Sequence, residues 1–166
     1  MTRDYFDLSG SIALLSGGGG FLGRYLAEAL GEYGAHVILI DINKEYLKRN
    51  TDFLEENGVK TETFVCDVTN EESVFEVIKE IEKRFKKIDI FINALNHKPK
   101  TESYFLEFEK YLLSDWTDAI QLHLTGSFLL LQNIGRIMKK NKKGSIVNIA
   151  SDVGIISPDH RIYKKD

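Results

Sequence analysis

Three groups of residues in this sequence could hold or change a ligand: a run of glycines, several carboxylates and amides that each close an apolar run, and a serine that closes another. The glycines stand in Ser16-Gly17-Gly18-Gly19-Gly20-Phe21-Leu22-Gly23. An apolar run of strand length from Ser11 to Ser16 leads into them, and Tyr25, Leu26, Ala29 and Leu30 then take up the spacing of one helical face. The stretch reads as a strand, a tight turn and a helix. The first N–H groups of a helix have no partner inside it, and the aligned peptide dipoles make that end partly positive, so a phosphate fits there. Gly17 and Gly20 would let the chain turn sharply and let a pyrophosphate approach the backbone. Gly23 would let the helix pack close to the strand.

A glycine turn alone is a weak signal, and its surroundings strengthen it. His36 to Asp41 is a second buried-type strand, and it ends in a carboxylate about 20 residues beyond the glycines, where a dinucleotide fold places the acid that holds the adenosine ribose. Asp41, followed by Ile42, is therefore the expected ribose contact. It favours NAD over NADP, because a carboxylate repels a 2′-phosphate and no Lys or Arg lies inside the glycine turn. A plain cap for the helix that begins near Asn43 is the competing role for Asp41. Asp67 and Asn93 close two further strands, Thr61–Val65 and Ile88–Asn93, at the same edge of the sheet. Asp67 with Val68 could frame an adenine ring, or Asp67 could cap the helix that follows it.

The elements that must position these groups alternate along the whole chain. Lys44 to Asn57 and Glu71 to Lys87 read as helices, the second with Val74, Val77, Ile78, Ile81 and Phe85 on one stripe. Asp115 to Lys140 is the longest helical pattern. Ser114 stands as its N-cap, and Trp116, Ile120, Leu124, Phe128, Leu131, Ile134 and Met138 form its inner stripe. Leu122, Leu129 and Leu130 fall off that stripe and predict a homo-oligomer that associates through this helix. Ser145 to Ser151 is a fifth strand ending in a hydroxyl. Strands alternating with helices imply an α/β, three-layer, doubly wound parallel sheet with order 3-2-1-4-5. The stretch between Asn93 and Ser114, with His97 and several aromatics, is long for a connection and is expected to form part of a substrate wall.

The bulk numbers bound the reading. At 166 residues, 43% hydrophobic and 28% charged, the chain suits one globular domain over residues 1–166. A formal net charge of −3, with the basic residues spread along the chain, argues against a nucleic-acid partner. Cys66 is the only cysteine, so an intrachain disulfide is excluded and a reducing, cytoplasmic setting is expected. No apolar run approaches the roughly 20 residues that cross a bilayer, so no membrane association is expected. No metal site is expected either.

On these motifs the chain resembles the short-chain dehydrogenase/reductase family, over the first two-thirds of that family's usual domain. Ser16 to Gly23 is similar to the family's cofactor loop, Asp67-Val68 to its adenine-contacting pair, Asn93-Ala94 to the start of its N-N-A-G motif, and Asn148-Ile149-Ala150-Ser151 to the strand that presents its catalytic serine. The resemblance implies a Rossmann fold and an NAD(P)-dependent oxidoreductase that moves hydride between its cofactor and an alcohol or carbonyl on a small molecule. Ser16, Gly17, Gly20, Phe21, Leu22, Gly23, Asp41, Ile42, Asp67, Val68, Asn93 and Ala94 would then contact the cofactor, and Ser151 the substrate. The tail from Ser157 to Tyr163 resembles family members in bacterial surface-sugar biosynthesis and implies a sugar derivative as substrate.

Three departures qualify what the resemblance implies. The N-N-A-G motif appears as Asn93-Ala94-Leu95-Asn96. His123 stands where the family has an active-site Asn, and a histidine there could relay protons or simply pack in the helix. Tyr163 lies at the family's distance beyond Ser151, but the Lys four residues further on would fall past residue 166. A phenol with a pKa near 10 is a poor base without that lysine. The chain is thus expected to be an incomplete domain at its C-terminal end, and three functions stay open. They are a catalytic oxidoreductase, a dinucleotide-binding module without the Tyr-x-x-x-Lys pair, and a sugar-nucleotide dehydratase or epimerase that recycles its NAD.

Overall fold

The computed structural model describes residues 5–96 and 106–156. His97 and the segment from 157 onward, with Tyr163, lie outside the described residues. Five strands, β1 (Ile12–Ser16), β2 (His36–Asp41), β3 (Thr61–Val65), β4 (Ile90–Asn93) and β5 (Ser145–Asn148), form one parallel sheet in the order β3-β2-β1-β4-β5. This is the order expected from the alternation of elements. Helices α1 (Phe21–Glu32) and α2 (Lys44–Glu56) contribute to one apolar layer, and α3 (Glu71–Phe85) and α5 (Ser127–Asn141) to the other.

The strand alternation decides which side chain enters which layer. Leu14, Ile38 and Phe91 point to the layer that holds Val74, Ile78, Ile81, Leu130 and Ile134. Ala13, Leu15, Val37 and Leu39 point to the opposite layer with Ala27, Leu47 and Leu54. Asn43 and Asn70 cap α2 and α3 by accepting the N–H groups of Tyr46 and Ser73 at 2.9 Å each. The caps are thus Asn43 and Asn70, two residues past Asp41 and three past Asp67, and the two aspartates are left for other contacts.

At the N-terminal edge of the sheet, the buried Asp89 carboxylate accepts the Ile12 amide at 2.9 Å and the Lys87 ammonium at 2.7 Å, with Lys143 at 3.7 Å. Burial pulls its pKa upward, but these hydrogen bonds and charges outweigh burial and hold it below the usual carboxylate range. β5 lies at the end of the described sheet, with Ile146 and Val147 exposed.

The long helical segment departs from its expected form. Helix α4 spans Leu113–Ile120, Gln121–Gly126 is a π-helical segment, and α5 follows directly. Leu112 rather than Ser114 occupies the N-cap, without a side-chain bond. The N-terminal half of the expected inner stripe is also reversed, whereas Leu131, Ile134 and Met138 in its C-terminal half face the core as expected. Trp116, Leu124 and Phe128 are 56%, 63% and 58% exposed, whereas Leu129 and Leu130 are buried and Leu122 packs against the core. This segment carries two apolar faces, and periodicity cannot say which one the sheet covers. The π segment, whose turn holds one residue more than an α turn, sends the inward line through Leu122, Gly126, Leu130 and Ile134. At Gly126 a Cβ would stand 3.0 Å from Val68 Cγ2 and 3.1 Å from the Val68 oxygen, so the helix approaches the β3–α3 connection closely there.

Candidate functional site

Strand order reverses between β1 and β4, because the chain leaves these neighbours for opposite ends of the sheet, and a crevice opens beyond their C-terminal ends. Register sets the floor of that crevice: Ser16 lies beside Asn93, and Asn93 beside Asn148. The buried Ser16 hydroxyl donates to Asn93 Oδ1 at 2.7 Å. Asn93 Nδ2 donates to Ser127 Oγ at 2.8 Å and to Asn148 Oδ1 at 3.2 Å. One amide therefore joins β1, β4, β5 and α5, and a buried polar network satisfied in this way holds its members in a single arrangement.

The glycine ribbon rises from the end of β1. Gly17 has φ +71°, which L side chains rarely adopt, and a Cβ there would meet the Ala94 carbonyl oxygen at 2.5 Å. Gly20 has φ −73°, so its expected role as a sharp-turn residue is replaced by one of close approach, since a Cβ would lie 3.2 Å from the Gly17 oxygen. Gly18 and Gly19 are packed against Leu39, Tyr46 and Asp41, which accounts for the four glycines in a row. Gly23 lies against Gly17 and Gly18 and brings α1 onto the ribbon as expected.

The ribbon's polar groups divide by direction. The Gly18 and Gly20 amides donate to the carbonyls of Ile40 and Gly17 at 3.1 and 3.0 Å. The Gly19 amide donates to Asp41 Oδ2 at 3.0 Å, while Asp41 Oδ1 accepts the Asn43 amide at 2.9 Å. Asp41 is thus aimed at the ribbon and keeps free lone pairs for further donors. The amides of Phe21, Leu22 and Gly23 open α1 and have no acceptor within the helix. Gly20 offers that end no side-chain cap, and no acidic residue stands in the first turn. An anion would therefore meet donors and a positive helix end there.

Most of the expected site residues share one cleft of about 800 Å³. It is lined by Gly17, Gly20, Phe21, Leu22 and Gly23 on one side and by Asn93, Ala94, His123 and Ser151 on the other. That size falls in the range of roughly 300–1,000 Å³ of small-molecule sites. Ser16 is buried beneath the floor rather than in the cleft. Asp41 lies at the ribbon's outer side, and Ile42 next to it is exposed. Asp67 Oδ1 accepts both the amide and the hydroxyl of Thr69, at 2.9 and 2.7 Å, and Val68 is buried against Gly126. Neither of these two lines the cleft. Ser151 is exposed at the rim, with its hydroxyl 3.2 Å from Asp152 Oδ1.

Several residues with a part in this site were given no role in it from the sequence, although Asn96 and Asn148 stand within its motifs. Asn148 and Ser127 complete the floor, and Asn96 adds an amide to the cleft. Asn50 of α2 donates through Nδ2 to the carbonyls of Gly18 at 2.7 Å and Gly20 at 3.0 Å, and Arg49 Nη2 stands 3.5 Å from the Gly19 oxygen. Nothing in local sequence marks Asn50 as a partner of the ribbon, although a polar residue on the buried side of an amphipathic helix, between Leu47 and Leu54, is a signal in itself.

Comparison with known proteins agrees with this geometry. The family model described as short chain dehydrogenase matches residues 11–163. An NAD-dependent glycerol dehydrogenase of Listeria innocua is 34% identical over 157 residues, covering 95% of this chain and 59% of that protein. The crystal structure of an NAD+-bound xylitol dehydrogenase superposes with a TM-score of 0.86 at 31% identity, covering 92% of this chain and 57% of that one. A gluconate 5-dehydrogenase from Burkholderia cenocepacia, crystallised with NADP and tartrate, superposes with a TM-score of 0.83 at 28% identity, covering 95% of this chain and 60% of that one. This chain spans less than two thirds of the length of these relatives.

Proposed function

The chain belongs to the short-chain dehydrogenase family, and from that membership we propose that it is the cofactor-binding part of an oxidoreductase acting on a polyol or sugar derivative. One observation carries the reading: the open N-terminus of α1 and the Ser151 hydroxyl line the same crevice at the point where strand order reverses. A bound nicotinamide dinucleotide would supply the hydride chemistry. The amides of Phe21 and Leu22 would hold its diphosphate, and Asp41 would take its adenosine ribose.

At the reacting end, the Ser151 hydroxyl would donate a hydrogen bond to the substrate oxygen and fix its direction. His123 lines the same cleft, and its imidazole would give or take the proton of the alcohol. Tyr163 is the family-type acid/base candidate, and it lies outside the described residues. The buried Asn93 network would keep the floor rigid while the substrate enters.

Support for the finer parts differs. Asp41 beside Gly19 favours NAD, whereas the relative crystallised with NADP shows that the family accommodates the other cofactor. The polyol and sugar-acid names of the relatives support the substrate class. The exposed face of Trp116, Leu124 and Phe128, instead of the leucines first expected, would join two copies of the chain. No helix among the described residues is long and apolar enough to cross a membrane, and a cytoplasmic setting is part of the proposal.

The test is an NADH fluorescence titration on this chain, run beside polyol oxidation followed by NADH absorbance. Binding with turnover supports the whole reading. Binding without turnover leaves a dinucleotide-binding module, and absence of binding to NADH removes the cofactor assignment.

A further inference from the structure

The core-facing side of α2 is apolar at Leu47 and Leu54 and polar at Asn50 between them, which is 1% exposed. Burying an amide at such a position is unfavourable unless its hydrogen bonds are made. Here both are directed to the ribbon: Nδ2 reaches the Gly18 oxygen at 2.7 Å and the Gly20 oxygen at 3.0 Å. The residues joined are 32 and 30 positions apart, so the bonds tie α2 to the turn between β1 and α1.

This arrangement has an electrostatic consequence. A carbonyl oxygen carries partial negative charge, and one turned into the cleft would oppose an anion at the N-terminus of α1. The Gly18 carbonyl is thereby directed to α2, and the Gly20 carbonyl is shared between Asn50 and the Arg24 amide at 3.2 Å, so neither is turned against an anion at the amides that open α1. We propose that Asn50 is a positioning residue for the cofactor diphosphate, holding the ribbon's carbonyls on α2 so that the amides that open α1 are presented to the anion. The inference rests on the dinucleotide reading of the site and adds to it a residue outside the glycine motif that sets diphosphate affinity. Asn50 does not line the cleft, so it acts through the ribbon alone.

The coupling is reciprocal: if the clamp favours the diphosphate, the diphosphate must strengthen the clamp by the same factor. The experiment measures ADP and adenosine binding by calorimetry to the 166-residue chain and to Asn50→Leu and Asn50→Asp, which keep the approximate shape and remove the donor. ADP carries the diphosphate, and adenosine reaches only the ribose and base positions. The expected result is ADP affinity at least tenfold weaker in both variants, with adenosine affinity within twofold of the parent. Equal weakening of both ligands, or unchanged ADP affinity in a folded variant, overturns the proposal.

If both variants fail to fold, hydrogen exchange of the Asn50 side-chain amide in the ¹⁵N-labelled parent decides. Saturating ADP should slow it severalfold while adenosine leaves it unchanged, and equal exchange with and without ADP overturns the proposal. Failure of the parent itself to bind ADP or NADH would instead remove the dinucleotide reading on which the proposal stands.

Discussion

Replacing Gly17 by alanine should do more damage than its size suggests, and the structure separates the two causes. The first is conformational: at φ +71° an L residue costs about 1–2 kcal/mol relative to glycine. The second is steric. The new Cβ would stand 2.5 Å from the Ala94 carbonyl oxygen and 3.0 Å from its carbon, both main-chain atoms at the end of β4 that cannot rotate away. Overpacking of that kind costs roughly 1–3 kcal/mol, so the sum is about 2–5 kcal/mol. Gly58 provides the control, because it has φ +77° and nothing within 4 Å of a Cβ, and Gly58→Ala should lose only the first contribution.

Urea unfolding of the two variants reads the difference. With a slope of about 2 kcal/mol per molar urea, Gly17→Ala should lower the midpoint by roughly 1–2.5 M and Gly58→Ala by roughly 0.5–1 M. NADH affinity should fall at least tenfold in Gly17→Ala and stay unchanged in Gly58→Ala. A Gly17→Ala midpoint no lower than that of Gly58→Ala would refute the close approach between ribbon and β4 on which the site is built.

Other measurements probe other parts of the reasoning. Asp41→Asn keeps an oxygen for the Gly19 amide, removes the charge, and leaves the Arg49 guanidinium 3.5 Å from the Gly19 oxygen. It should shift the NAD-to-NADP affinity ratio at least tenfold toward NADP, about 1.4 kcal/mol, and an unchanged ratio would show that Asp41 does not select the cofactor. The Asp89 carboxyl is held below its ordinary pKa in the folded state, so its contribution is complete above the unfolded value. That contribution is lost as pH falls below about 4 through the lower folded value. Asp89→Asn should therefore flatten the acid limb of stability against pH, and parallel acid limbs in variant and parent would contradict this. Burial pushes the Cys66 thiol up to about 11, with the neighbouring Asp67 charge adding to it, so a thiol reagent at pH 8 should label the native chain far more slowly than the urea-unfolded chain. Equal rates would mean that the β3 end opens readily.

The alternation of five strands with helices was legible because it follows from local signals, namely apolar runs of strand length between amphipathic helical patterns. The ribbon was legible for the same reason: five glycines carry its requirement for small residues within the seven consecutive positions from Gly17 to Gly23. Asp41 was legible by distance along the chain, and its hydrogen bond to Gly19 places it where the β2 end meets the ribbon. What local pattern could not supply were choices between equivalent faces and between distant partners. Trp116, Leu124 and Phe128 form as convincing an apolar stripe as Leu122, Leu129 and Leu130, and only the sheet decides which one is covered.

The same division holds within the site. The sequence alone determined that a glycine turn lies between a strand and a helix, with polar residues closing several strands, because strand and helix periods and the special backbone of glycine are properties of neighbouring residues. Only the tertiary structure decided that Asn93 bonds Ser16 across 77 positions and Ser127 across 34, and that Asn50 reaches back 32 positions to Gly18. Hydrogen bonds form between groups that packing brings within about 3 Å, and no spacing along the chain records which distant groups those will be.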